Sequence, residues 1–246
     1  MRLDKYLSNA GYGSRSDIKK LIKKGIVSVN NKICTDPSKK VGPETFISLN
    51  GCPTSSTPMS TIMMNKPKGY ISSNESESGY PSVMELLRPP HPTYAIAGRL
   101  DVDSSGFLIL STQGDLVHSI ISPKKEVSKL YKAIVSGFNP VETHRFHEGI
   151  EITSNFQTKP VTFFEITEDS QELSTIYLGI TEGKYHQVKR MFQMIGAEVI
   201  ELERTAIGSL RLDNSLNPGE YREMSEYEKE RLFLQPQTLE TFYMLK

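Results

Sequence analysis

Gly98-Arg99-Leu100-Asp101-Val102-Asp103-Ser104-Ser105-Gly106-Phe107-Leu108-Ile109-Leu110 is a polar loop, bracketed by glycines, that runs directly into an unbroken apolar strand. Around it, over residues 59–246, short apolar strands alternate with polar turns. In one of them, Lys129-Leu130-Tyr131-Lys132-Ala133-Ile134-Val135, alternation puts Tyr131, Ala133 and Val135 on one face. Persuasive helices are few, residues 116–121 and 188–195 being examples. In the second of these, Val188, Met191, Phe192 and Ile195 recur at i, i+3, i+4 and i+7, leaving His186, Lys189, Arg190 and Gln193 on the opposite face. This pattern predicts an α+β domain built on a mainly antiparallel mixed sheet flanked by helices.

The chain upstream differs in kind. Residues 51–60 (Gly-Cys-Pro-Thr-Ser-Ser-Thr-Pro-Met-Ser) have a linker's composition, which sets a boundary near residue 58 and predicts two domains, 1–58 and 59–246. Leu3, Tyr6, Leu7 and Ala10 fall at helical spacing and stop at Gly11. Ser14, with Asp17 three residues on, has the form of a helix start, and Ile18, Leu21 and Ile22 make the buried stripe of a second helix that ends at Gly25. Ile26, Val27 and Val29 followed by Asn30-Asn31 predict a strand and tight turn, closing a small helix-helix-strand module. Lys19, Lys20, Lys23 and Lys24 lie off the apolar stripe.

The whole chain of 246 residues has 29 basic and 29 acidic side chains, a net charge of zero that points to no polyanionic partner. Residues 1–58 hold ten basic residues against four acidic ones, a net of +6, so the remainder carries −6. Most lysine runs are solvated faces, but concentration on one helix face, with Arg15 at its start, favours an anionic partner. Composition, with 37% hydrophobic and 24% charged residues, excludes disordered, collagen-like and mucin-like classes. Arg2, Asp4 and Lys5 precede any apolar run, and no stretch of ~18 apolar residues occurs, so neither signal peptide nor membrane span is expected, and the expected location is the cytoplasm. Cys34 and Cys52 are too few for a four-thiolate zinc site and read as free, structural thiols.

Generic catalytic motifs fail. Gly179-Ile180-Thr181-Glu182-Gly183-Lys184 resembles a phosphate loop, but it is one residue short between its glycines, and Tyr185 stands where Ser or Thr would bind magnesium. Asp101-Val102-Asp103 opens like a calcium loop whose twelfth position, Thr112, lacks the bidentate carboxylate. His91, His118, His144, His147 and His186 form no zinc-binding pattern. What remains is the loop at 98–106, which could present a carboxylate beside a guanidinium as nucleophile or base. The bland alternative is a turn whose aspartates bond backbone amides. Tyr131 could stack on a base or be plain core, and the polar face of residues 186–193 could bind phosphates or a carboxylate or simply be solvated.

A resemblance decides between these readings. Arg2-Leu3-Asp4-Lys5-Tyr6-Leu7, Ser14-Arg15 and Gly25-Ile26-Val27-Ser28-Val29-Asn30 resemble the S4-type RNA-binding domain. Lys66-Pro67-Lys68-Gly69-Tyr70, Gly98-Arg99-Leu100-Asp101 and Gly183-Lys184-Tyr185-His186-Gln187-Val188-Lys189-Arg190-Met191 resemble, in order and spacing, the RsuA/RluB-type pseudouridine synthases over nearly the whole chain. Lys159-Pro160, residues 185–192 and Pro218-Gly219-Glu220-Tyr221-Arg222 are most similar to the branch acting on small-subunit 16S rRNA.

The resemblance implies an isomerase that breaks the uridine C1′–N1 bond, rotates the base and rejoins it through C5. On this match Asp101 is the essential aspartate, Tyr131 stacks on the extruded base, and Arg99 fills or clamps the place the base leaves. Lys189 stands where related enzymes have a basic residue that pairs with the aspartate, Arg190 is its neighbour in register, and Asp103 shapes the loop. Arg2, Lys5, Arg15, Lys19, Lys20 and Lys23 are the implied RNA contacts of the first module. No cofactor or metal is implied, the partner is ribosomal RNA or the assembling small ribosomal subunit, no membrane is involved, and a monomer is expected. Three alternatives stand beside this: a synthase for 23S rRNA, a non-catalytic rRNA-binding or ribosome assembly factor, and a glycosidase using Asp101 with Asp103 or Asp115. Retention of Asp101 and Tyr131 disfavours the second.

Overall fold

The computed structural model describes residues 1–42, 44–54, 61–88, 91, 93–169 and 172–234. The chain divides into two compact units, Met1–Ser60 with Leu87–Ala95, and Thr61–Leu86 with Ile96–Lys246.

The first unit contains α1 (Leu3–Asn9), α2 (Arg15–Lys23) and a four-stranded antiparallel sheet of β1 (Val27–Val29), β2 (Lys32–Ile33), β3 (Ile47–Leu49) and β4 (Cys52–Pro53), in the order β2-β1-β3-β4. Leu3, Leu7, Ile18, Ile22, Val27, Val29 and Ile47 form its core, as the spacing predicts. The Ser14 hydroxyl caps α2 by accepting from the Asp17 amide at 3.2 Å. Asn30 and Asn31 both take positive φ, +49° and +62°, the conformation a tight hairpin needs, and so pair Val29 with Lys32. The linker reading begins too early. Asn50 and Gly51 make a second positive-φ turn, after which Cys52 and Pro53 add a strand at the sheet edge, where a missing amide donor costs nothing. Residues 55–60, with the boundary placed near 58, lie outside the described residues. Both cysteines are free, but only Cys34 is buried; Cys52 is exposed.

The second unit is built on one sheet of nine strands. These are β5 (Thr61–Lys66), β6 (Ala95–Ile96), β7 (Ser105–Ser111), β8 (Lys129–Ser136), then, after the separate hairpin of β9 (Glu151–Thr153) and β10 (Phe156–Gln157), β11 (Phe163–Asp169), β12 (Leu173–Ile180), β13 (Glu198–Ile207), β14 (Leu210–Arg211) and β15 (Tyr221–Glu223). Helices α3 (Gly114–Ile121), α4 (Thr143–Glu148), α5 (Gln187–Gln193) and α6 (Glu226–Arg231) connect them. The main path runs β11-β12-β8-β13-β7-β5-β15 and is antiparallel except where β13 meets β7. Phe107–Leu110 are buried throughout, which explains their unbroken apolar run. On β8, Tyr131, Ala133 and Val135 are buried in the cluster that also takes Val188, Met191 and Phe192 of α5. No helix among the described residues is long and apolar enough to cross a membrane.

One close approach shapes the site. Gly106 has φ +101°, and a Cβ there would lie 2.4 Å from the Arg204 carbonyl oxygen and 3.0 Å from its nitrogen. Only glycine lets the parallel strands come this near.

Candidate active site

The loop before β7 is held by its carbonyl oxygens. Arg204, on β13 two residues after the buried Leu202, is 2% exposed. Its Nε donates to the Phe107 carbonyl at 2.8 Å, and its Nη atoms donate to those of Gly98 and Arg99 at 3.2 and 3.5 Å. Lys66, at the end of β5, is fully buried. Its Nζ donates to the carbonyls of Asp101 (2.9 Å), Ser104 (2.8 Å) and Pro67 (3.1 Å). The Ser72 hydroxyl donates to the Leu100 carbonyl and accepts from the Leu100 amide, and the Gly69 amide donates to the Val102 carbonyl at 2.7 Å. Burying two cations is costly, and here each is compensated by oriented peptide dipoles rather than by a carboxylate at contact distance. Burial pushes the Lys66 ammonium down to about 8, against the pull of Asp101 and Asp103.

Above this clamp opens a cleft of about 570 Å³, lined by Arg99, Asp101, Ser104, Lys129 and Tyr131 and, across from them, by the Thr181–Val188 turn. Of the predicted site residues the structure thus brings Asp101, Tyr131 and Arg99 to one cleft. The guanidinium expected beside the aspartate is not that of Arg99, which is exposed and makes no ion pair with Asp101. The loop's own cations are Arg204 and Lys66, reaching it from other strands.

The expected pairing of Lys189 with Asp101 is not what the structure shows. Lys189 Nζ lies 2.5 Å from Asp103 Oδ1, while the Asp101 carboxylate faces His186, with Nε2 to Oδ1 at 3.5 Å. The cause is backbone geometry. His186 precedes α5 in the left-handed conformation, φ +51° and ψ +33°, and its ring reaches Asp101, leaving Lys189 on the first turn to meet the outer aspartate. Burial acts to raise the Asp103 carboxyl, but the hydrogen bond and charge of Lys189 outweigh it and hold it below the ordinary value. Asp103 therefore does more than shape the loop. Arg190, the alternative in register, is half-buried and does not line the cleft.

The turn opposite Asp101 is itself braced. Glu182 Oε1 accepts from the Gln187 side-chain amide (2.7 Å) and the Lys159 backbone amide (2.9 Å), and Gln187 Oε1 accepts from the Lys184 amide (2.9 Å). Lys129 is also buried in the cleft wall; burial, then the Arg204 charge, lower it to about 8, and its Nζ donates to the Ile120 carbonyl at 3.3 Å. The Ser104 hydroxyl is the one buried side-chain polar atom among the described residues without a partner. Sequence reading missed Lys66, Arg204, Ser72, Lys129 and the His186–Asp101 contact. A signal existed for Arg204, an arginine at an apolar-phase position of a strand. Among the described residues no group of three or more His, Cys, Asp or Glu is placed to hold a metal ion.

The basic residues of the first unit form a separate set. Lys5, Lys19, Lys20 and Lys23 are exposed. Arg2 and Arg15 share the buried Asp4 carboxylate, at 3.0 and 3.7 Å, and the Arg2 hydrogen bond holds that carboxyl below its usual value.

Comparison with known proteins gives two family matches: the S4 domain over residues 1–47 and the RNA pseudouridylate synthase family over residues 60–194. The chain is 41% identical to the uncharacterized RNA pseudouridine synthase YtzG of Bacillus subtilis (strain 168), over 93% of this chain and 96% of that protein. It is 34% identical to the ribosomal small subunit pseudouridine synthase A of Vibrio vulnificus (strain CMCP6), over 93% of this chain and 97% of the other. It is 36% identical to the ribosomal large subunit pseudouridine synthase B of Bacillus subtilis, over 94% and 95%. A crystal structure of a pseudouridylate synthase aligns with a TM-score of 0.64 at 34% identity, covering 94% of this chain and 99% of that one.

Proposed function

Because the chain belongs to the RNA pseudouridylate synthase family, we propose that it converts one uridine of small-subunit 16S ribosomal RNA to pseudouridine, with Asp101 as the essential carboxylate. The observation that carries this is Asp101 itself, a carboxylate on a loop fixed by Lys66, Arg204 and Ser72, beside Tyr131 in one cleft. The small-subunit target is supported by the relatives that bear that name and by the stretches at Lys159-Pro160, 185–192 and 218–222.

In this reading residues 1–58 dock the RNA, with Arg2, Lys5, Arg15, Lys19, Lys20 and Lys23 on phosphates, and residues 59–246 perform the chemistry. The uridine leaves its stack and enters the cleft, where Tyr131 takes one face of the base and Arg99 guards the place it left. Asp101 promotes cleavage of C1′–N1; the base turns, C5 bonds to C1′, the C5 proton is lost and N1 gains one. The product is an isomer, so no atom is added or removed. Lys189, held on Asp103, and Arg190 contribute positive charge beside the cleft toward the RNA backbone.

A second reading, a uridine of 23S rRNA, is favoured by the 36% identity to the large-subunit enzyme. One experiment tests both: pseudouridine mapping of rRNA from a strain lacking the gene, complemented with wild type or Asp101→Asn. One 16S site restored by wild type alone is expected. Restoration on 23S would replace the small-subunit target, and restoration by Asp101→Asn would remove Asp101 from the mechanism.

A further inference from the structure

Tyr185 is a large aromatic side chain left open at the cleft. It is 76% exposed, yet its ring is fixed: it stacks on His186 with centroids 3.8 Å apart and planes 17° apart. His186 in turn meets Asp101, so the exposed ring, the imidazole and the carboxylate stand in series. The turn carrying them is braced on both sides by the Glu182 and Gln187 side chains. Such an arrangement keeps one broad π-face presented to solvent with little rotational freedom to lose on binding.

The surrounding charge indicates what that face meets. Lys184 precedes it and Arg190 follows within the next turn, while the nearby acids are already engaged: Glu182 by Gln187 and Lys159, Asp103 by Lys189, and Asp101 beside His186. A flat aromatic surface among cations suits a nucleobase joined to a phosphodiester, since stacking accepts any base and the cations take the backbone.

We propose that Tyr185 is an RNA-binding residue that stacks on a nucleobase next to the target uridine, one ring away from the residue facing Asp101. This rests on the reading of rRNA as substrate and assigns a second base-binding face, distinct from Tyr131 within the cleft. The His186 contact then links occupancy of the outer face to the position of the ring against Asp101.

The chain contains no tryptophan, so Tyr185→Trp installs a single indole reporter. Its emission is expected to be quenched when rRNA from a strain lacking the gene is added to the full-length protein. In parallel, Tyr185→Ala is expected to raise the Kd for that RNA about tenfold, with Tyr185→Phe raising it less than about threefold. Thermal melting of each variant confirms folding, which an exposed position does not endanger. Unchanged emission at saturating RNA, or an unchanged Kd for Tyr185→Ala, overturns the proposal. Wild-type pseudouridine formation on the same RNA, measured alongside, separates the two readings. Quenching without pseudouridine would refute the substrate and leave the stack, whereas pseudouridine without quenching would refute the stack alone.

Discussion

Lys66 and Arg204 hold the Asp101 loop through backbone oxygens, so their loss leaves buried carbonyls without donors. Each orphaned acceptor costs ~1–3 kcal/mol, and Arg204→Met is expected to lower unfolding stability by about 2–3 kcal/mol and the single-turnover rate by at least tenfold. Chemical denaturation and rapid-quench assays read the two. The pH dependence of Lys66 runs in two directions. Its proton leaves the folded chain at about 8 and the unfolded chain near the ordinary 10.5, so between these values the unfolded state holds the extra proton and this group's contribution to stability rises with pH. The clamp weakens over the same range, because a neutral amine has two N–H groups for three carbonyls. The single-turnover rate should fall above pH about 8 while the melting temperature does not follow it; a rate flat to about pH 9.5 would contradict this. The loop at 98–106 stands out in the sequence as a glycine-bracketed Arg-Asp stretch, and the resemblance, not the pattern, points to Asp101 within it. Lys66 does not stand out, since a cation satisfied by peptide oxygens leaves no complementary acid in the chain to point at it, and Arg204 shows only as an arginine in the apolar phase of a strand.

At the scale of elements, the strands with apolar runs or clean alternation, β7 and β8, are readable residue by residue. The parallel pairing of β7 with β13 is not, because periodicity reports which face is buried and says nothing about which distant strand lies alongside. Gly106 is where that pairing becomes possible, and its Cβ position is occupied by the Arg204 backbone. Gly106→Ala is expected to cost about 1–3 kcal/mol by overpacking at a positive φ, read as a lowered melting temperature. In the first unit, Ser14→Ala removes the α2 cap and should cost ~1 kcal/mol. The linker reading begins too early for a local reason: Gly and Pro also build hairpins, and Asn50-Gly51 turns one. The pairing of Lys189 with Asp101 also differs from expectation, since helical spacing predicts the face of Lys189 but not that His186 would precede the helix left-handed and take the contact with Asp101.

Across the whole molecule, neutrality conceals a division into +6 over residues 1–58 and −6 over the rest. RNA affinity should therefore depend on salt chiefly through the first unit. Replacing Lys19, Lys20 and Lys23 together by alanine is expected to reduce the slope of log K against log salt by about 2–3, at ~0.7–0.9 for each phosphate no longer neutralised. An unchanged slope would mean that the lysine face is merely solvated. The loop that carries Asp101 also has a history in time. Its clamps come from both directions along the chain, Lys66 from 35 to 38 residues before and Arg204 from 97 to 106 residues after. During synthesis at ~5–20 residues per second, the loop waits roughly 5–20 s for its last fastener, so the nascent chain carries the acid long before it carries the site. The loop's geometry is thus completed late, by the arrival of β13.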